Sequence, residues 1–263
     1  MRIVDRANLT DRRRSRLNFV AVACGLLALT LGAVPTPTPQ KGELKPTPKP
    51  TPKPLTVLSV TSLPNPQTKG KTSLEEALSL RRSVRAFNTE ALSLAEVGQL
   101  MWAAQGITEP MRGRRTAPSA GATYPIEVFL VSRRGFGRYV VGAHSIEWYD
   151  MSDLRGALAD ACAKQDCVRD APMDIVIASV PARTTPKYRD RAGRYIYLEA
   201  GHVAQNILLE ATAMGLGAAP IGAFLEEQVS KVLGLPSNYF PLYVIPVGHP
   251  RPGELEAVRQ GYK

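Results

Sequence analysis

Three short segments carry residue types that can do chemistry. Arg81-Arg82-Ser83-Val84-Arg85 places three guanidiniums and a hydroxyl within five residues, a set able to grip a phosphate through charge-assisted, bidentate hydrogen bonds. The same run also suits a basic helix end that answers the negative pole of the helix dipole. Thr116 to Pro125 reads TAPSAGATYP. Its small residues let backbone N–H groups come close to a flat ligand, and they suit a tight loop before a strand equally well. Gly215 to Phe224 reads GLGAAPIGAF, offering backbone donors near a planar ring, or a helix C-cap and a buried strand. No G-x-G-x-x-G follows the first strand and no Walker motif is present, which argues against dinucleotide-fold and P-loop chemistry. His144, His202 and His249 are scattered, and with Cys24, Cys162 and Cys167 they make no metal-ligand pattern. Cys162 and Cys167 are either inert small residues or a local disulfide in an exported domain.

These segments need elements to hold them. Ser73 with Glu76, and Ser93 with Glu96, have the spacing of capping boxes. They open one helix through Leu80 and a second whose apolar face (Val97, Leu100, Met101, Ala104) ends near Gly106. Strands are expected at Ile126–Ser132, Tyr139–Gly142, Asp174–Val180 and Leu242–Val247. Between them the pattern predicts helices around Asp153–Ala163, from about Arg191 to Met214, and from Glu226 to Leu233. The second of these is apolar over much of its circumference (Ile196, Ala200, Val203, Ala204, Ile207, Leu208, Ala211), as expected of a helix buried in a core or a subunit interface. Strands and helices alternate irregularly, which predicts an α+β class with a mixed sheet.

Charge is distributed unevenly. The chain has a net charge of +10 over 263 residues. Residues 1–71 hold 12 Lys/Arg against Asp5, Asp11 and Glu43, whereas residues 72–263 hold 21 bases against 20 acids. The globular part is therefore nearly neutral, and a basic groove for nucleic acid is not supported. Arg12 to Arg14 and Arg16 precede an uncharged run from Leu17 to Val34, the pattern of a signal peptide or signal anchor. The proline-rich tract that follows favours an extended polyproline-II stalk. The expected organisation is a hydrophobic leader helix (1–34), a disordered proline-rich linker (35–71) and one folded domain (72–263). It is exported, and membrane-attached through the leader if that is uncleaved.

In this order and spacing, the three segments resemble the nitroreductase superfamily over about residues 72–263. The likeness is greatest to the SagB-type, thiazole/oxazole-forming dehydrogenase branch. PSAGATYP, the run from Tyr188 through Arg191 and Arg194 to Tyr195, the set Glu199, His202, Gln205 and Asn206, and the closing PVGHPR carry it. The resemblance implies a nitroreductase-like α+β sandwich, an intertwined homodimer and FMN at the dimer interface. It implies that Arg81, Arg82, Ser83 and Arg85 contact the phosphate, ribityl and pyrimidine side of FMN. Pro118, Ser119, Ala120 and Gly121 would lie against the isoalloxazine, Pro220, Ile221 and Gly222 beside flavin N5, and Arg251 near the phosphate. Many nitroreductases carry Asn where this chain has Ala122, so ring recognition would lean more on backbone.

The activity implied is ping-pong hydride transfer through N5, with a small-molecule or peptide redox substrate and Arg85 favouring the reduced ring. Tyr124 and His202 are the candidate acids or bases for the accompanying proton. For His202 a core or interface role is the alternative, and for Tyr124 packing over the ring. Export sits poorly with NAD(P)H as donor. A non-catalytic, membrane-anchored flavin- or ligand-binding module is the other reading of the same residues.

Overall fold

The computed structural model describes residues 54–261. The hydrophobic leader, and the proline tract up to residue 53, lie outside the described residues. Among the described residues no helix is long and apolar enough to cross a membrane.

In chain order the elements are β1 (Ser59–Ser62), α1 (Leu74–Leu80), α2 (Leu94–Gln105), β2 (Ile107–Glu109), β3 (Arg114–Arg115), β4 (Ile126–Ser132), β5 (Gly135–Val140) and β6 (Ser145–Asp150). Then come α3 (Arg155–Ala161), α4 (Asp166–Asp170), β7 (Met173–Ser179), α5 (Thr185–Tyr188), α6 (Ala192–Ala213), β8 (Gly217–Ala218), α7 (Glu226–Val232), β9 (Phe240–Gly248) and α8 (Glu254–Gln260). Seven strands form one sheet in the order β1-β6-β5-β4-β7-β9-β8, and β2 with β3 makes a small hairpin.

The buried strands alternate between two cores, as a pleat requires. Ile126, Val128 and Leu130 of β4 and Ile175 and Ile177 of β7 face a cluster shared with α2 and α6. Phe129, Val131, Val176 and Ala178 face a second cluster with α3, α4 and α7. Helices thus cover both faces, and α6 runs buried along one of them. Both helix starts follow from their caps. Ser73 Oγ accepts from Glu76 N at 3.1 Å, and Ser93 with Glu96 forms the full reciprocal box.

Three expectations change. Every ladder between the strands of the main sheet is antiparallel. The sheet is mixed only through a single parallel bridge, Ser83 to Ala218. The run expected at Tyr139–Gly142 belongs to a strand that begins at Gly135, and β6 follows directly. The segment assigned to linker through residue 71 also contributes β1. That edge strand pairs with β6, and its Thr61 Oγ1 accepts from Trp148 Nε1 at 3.0 Å. Its polar sequence hid it, because an edge strand needs little apolar surface.

Candidate functional site

At Arg81 the chain leaves α1 for an extended conformation. From there a strap runs to Asn88 between β8 and the residues after β9. Val84 N donates to Ala218 O at 3.0 Å, Asn88 N to His249 O at 2.9 Å, and Arg251 N to Ala86 O at 3.1 Å. Arg251 Nε adds a bond to Phe87 O at 3.0 Å. Val84 and Phe87 point inward, each only 2% exposed, and each stabilises the strap by roughly 1.5–3 kcal/mol. The alternation leaves Arg81, Arg82 and Ser83 half-buried and Arg85 exposed. Gly217 makes the close approach possible, since a Cβ there would lie 2.4 Å from Val84 Cγ1.

Pro220, Ile221 and Gly222 continue from β8. Ile221 is buried and bridges Val244, Pro220 is half-buried, and Gly222 is exposed with open space around it. The structure therefore brings Arg81–Arg85, Pro220–Gly222 and Arg251 to one edge of the sheet. Arg82 also serves the end of α1. Its Nη1 folds back onto Ser79 O (3.1 Å) and Arg81 O (2.8 Å), the helix-end role weighed from sequence.

The second group lies elsewhere, where α2 ends, β4 begins and α6 starts. Pro118, Ser119, Ala120 and Gly121 lead into a tight turn in which Gly121, Ala122 and Tyr124 all have positive φ (59°, 53° and 44°). Ser119 Oγ accepts from Tyr124 N at 2.8 Å. The segment from Arg183 to Tyr188 closes over this loop. Lys187 Nζ donates to Gly121 O at 3.3 Å, Thr123 and Thr184 share a hydroxyl bond of 2.9 Å, and Arg183 Nη1 donates to Tyr124 O at 3.0 Å. A Cβ on Gly121 would meet Lys187 Nζ at 2.3 Å and Tyr188 Oη at 2.7 Å. Glycine suits the position in both space and φ, since a larger residue would push those side-chain ends aside.

Beneath the loop sits Glu199 of α6, 2% exposed. Its Oε1 has no hydrogen-bond partner among the described residues. Burial pushes its carboxyl up to about 7, while the side chains of Ser119 and Gln105 and the charges of Arg115 and Arg183 pull it down. Arg115 stacks on the Tyr124 ring, Cζ 4.1 Å from the centroid.

Lys187, Arg183 and Arg115 had no place in the sequence reading, and Tyr188 and Glu199 entered it only as part of the family resemblance, with no chemical role. His202 is exposed on α6, so within this chain it is not a core histidine. The backbone of Tyr124 is held by Ser119 and Arg183, and its ring lies under the Arg115 guanidinium. His144 is structural: Nε2 donates to Pro64 O at 2.8 Å, leaving Nδ1 to accept from Tyr139 Oη at 2.9 Å. Cys162 and Cys167 are buried free thiols, and burial pushes Cys162 up to about 12, which removes it as a nucleophile.

A model of the nitroreductase family matches residues 78–249 of this chain. A nitroreductase of Methanocaldococcus jannaschii is 40% identical over 181 residues, covering 66% of this chain and 90% of the relative. The microcin B17-processing protein McbC of Escherichia coli is 26% identical over 156 residues, 55% of this chain and 57% of McbC. A nitroreductase crystal structure from Ralstonia eutropha aligns with a TM-score of 0.68 at 30% identity, covering 76% of this chain and 94% of that one.

Proposed function

The chain belongs to the nitroreductase family, whose members bind FMN, and from that premise we propose that it is an FMN-dependent oxidoreductase working by ping-pong hydride transfer. The observation that carries this reading is the arginine strap. Two arginines and a serine, Arg81, Arg85 and Ser83, share a sheet edge with Arg251 and with the open backbone of Pro220–Gly222. A phosphate bears charges for the first set, and a planar ring needs the clearance that Gly222 leaves. The residues fit the group.

When bound, FMN supplies a ring that accepts a hydride at N5 and passes the electrons on. Arg81, Arg85 and Arg251 would hold the phosphate and the pyrimidine side by charge-assisted hydrogen bonds, with Ser83 on the ribityl chain. The Gly222 backbone N–H would serve as a donor where charge builds up on the ring. Pro118–Gly121 bounds the substrate side. Lys187 Nζ and the Tyr188 hydroxyl, both against Gly121, hold or exchange the substrate proton, alongside the hydroxyl of Tyr124.

The strap and the loop stand on different elements, which favours a homodimer in which the cofactor is shared. Exposed Leu74 and Leu78 on α1 and Tyr197 and Leu198 on α6 supply apolar surface for it. The likeness to McbC supports a SagB-type reaction on a peptide or small molecule, with export through the leader.

The test is the visible spectrum of the purified full chain. Flavin bands that bleach with a donor and return with an acceptor support the proposal. A colourless protein that FMN cannot reconstitute overturns it. A yellow protein that no donor bleaches leaves only the binding module.

A further inference from the structure

Beside the Pro118–Tyr124 loop lies a cleft of about 410 Å³ whose lining includes Arg115, Arg138, Arg183, Glu127, Tyr124 and Tyr139. Its charges do not balance. Arg183 pairs with Glu127, and Arg138 pairs with Glu147 at 2.8 Å. Arg115 has no carboxylate within ion-pair distance among the described residues. Its contacts are Gln105 Oε1, which accepts from Nη1 at 3.1 Å, and the Tyr124 ring. Two acids act on it from farther off: Glu127, already paired with Arg183, and the buried Glu199, which burial holds largely protonated below about pH 7. Arg138 Nε is a second buried donor with no acceptor.

A half-buried guanidinium costs desolvation energy unless an anion answers it, and burial does hold Arg115 below its ordinary value. The Tyr124 ring against Cζ and the bond from Nη1 to Gln105 Oε1 hold the guanidinium in place, leaving Nε and Nη2 as the edge for a bidentate partner.

We propose that this cleft is a carboxylate-binding subsite, in which Arg115 receives the carboxylate of an anionic redox substrate positioned beside the Gly121 loop. That the ligand is a redox substrate rests on the flavin reading above. The anion site itself rests on the charge imbalance alone.

The test separates the two. Binding of 4-nitrobenzoate and of its neutral counterpart 4-nitrobenzamide is measured by ligand-observed NMR on the full chain, with flavin content read independently from the spectrum. The wild type should prefer the carboxylate by about tenfold, the equivalent of one charge-assisted hydrogen bond. That preference should shrink as salt is raised. Arg115→Gln should abolish it, and Arg115→Lys, which keeps the charge but not the fork, should restore part of it. Thermal melts establish that both variants fold, and should Arg115→Gln fail to fold, the wild-type preference and its salt dependence decide. Equal affinity for the two probes, binding of neither, or a preference that survives Arg115→Gln in a folded protein overturns the proposal. Carboxylate selectivity in a protein without flavin would uphold the subsite while sinking the flavin reading.

Discussion

The arginine strap and the Gly121 loop are built by opposite means. The strap is fixed by main-chain hydrogen bonds to β8 and the residues after β9, with Val84 and Phe87 as plugs. Of its charged side chains, Arg82 turns back onto Ser79 O and Arg81 O, while Arg81 is half-buried and Arg85 is exposed. The loop is held by side chains from a distant segment, and a buried carboxyl lies under it. Stability and ligand binding are therefore separable at the strap and entangled at the loop.

The largest effect expected from this contrast is at the strap. Arg81→Ala with Arg85→Ala should weaken FMN binding by about 10²–10⁴-fold, from two lost charge-assisted contacts. The melting temperature of the flavin-free protein should stay within a degree or two. Retained FMN in a titration followed by flavin fluorescence would remove the phosphate assignment, and a large drop in the melt would break the separability.

At the loop the entanglement should show as pH dependence. Glu199 is raised from an ordinary 4.5 to about 7, chiefly by burial, so the folded state binds more protons than the unfolded one between those values. Stability from this group is thus present below about pH 4.5 and is lost as pH rises through 7. Glu199→Gln should gain on the wild type by roughly 1–3 kcal/mol between pH 5 and pH 8, read from urea melts at both. Curves that stay parallel would deny the buried carboxyl its role.

A smaller effect sharpens the comparison further. Gly121→Ala forces the ends of Lys187 and Tyr188 aside, so turnover should fall about tenfold more than FMN occupancy does, a loss near 1.4 kcal/mol. Equal losses in both would place the loop's work in cofactor binding. Smallest of all, Ala122→Gly relieves a left-handed alanine (φ 53°) and should stabilise the fold by about 0.5–1 kcal/mol in thermal melts. A destabilised variant would show that Ala122 is held there by contacts worth more than the strain.

The same contrast explains what could be read from the chain. The N-cap at Ser73, the capping box at Ser93, the arginine run and the apolar face of α6 are local patterns, so residue spacing revealed them. The return of Arg251 to the strap came only from family resemblance, since 164 residues separate it from Phe87. Lys187 and Gly121 lie 66 residues apart, and no local pattern announces their meeting. β1 was hidden for another reason. Ser59–Ser62 is polar and sits at an edge, where pairing with β6 and a bond from Trp148 do what apolar burial does elsewhere.

The position of β1 has a mechanical consequence. It is one edge strand of the sheet and β8, beside the arginine strap, is the other. Six strand spacings separate them, roughly 29 Å at the usual 4.8 Å each. Any pull transmitted through the chain before residue 55 loads the packing of Leu55, then the bond from Leu58 N to Trp148 O and the four-residue ladder of β1 on β6. That short ladder would yield as a fuse while β4, β7 and β9 kept their register, so tension at the N-terminal end is spent far from the strap.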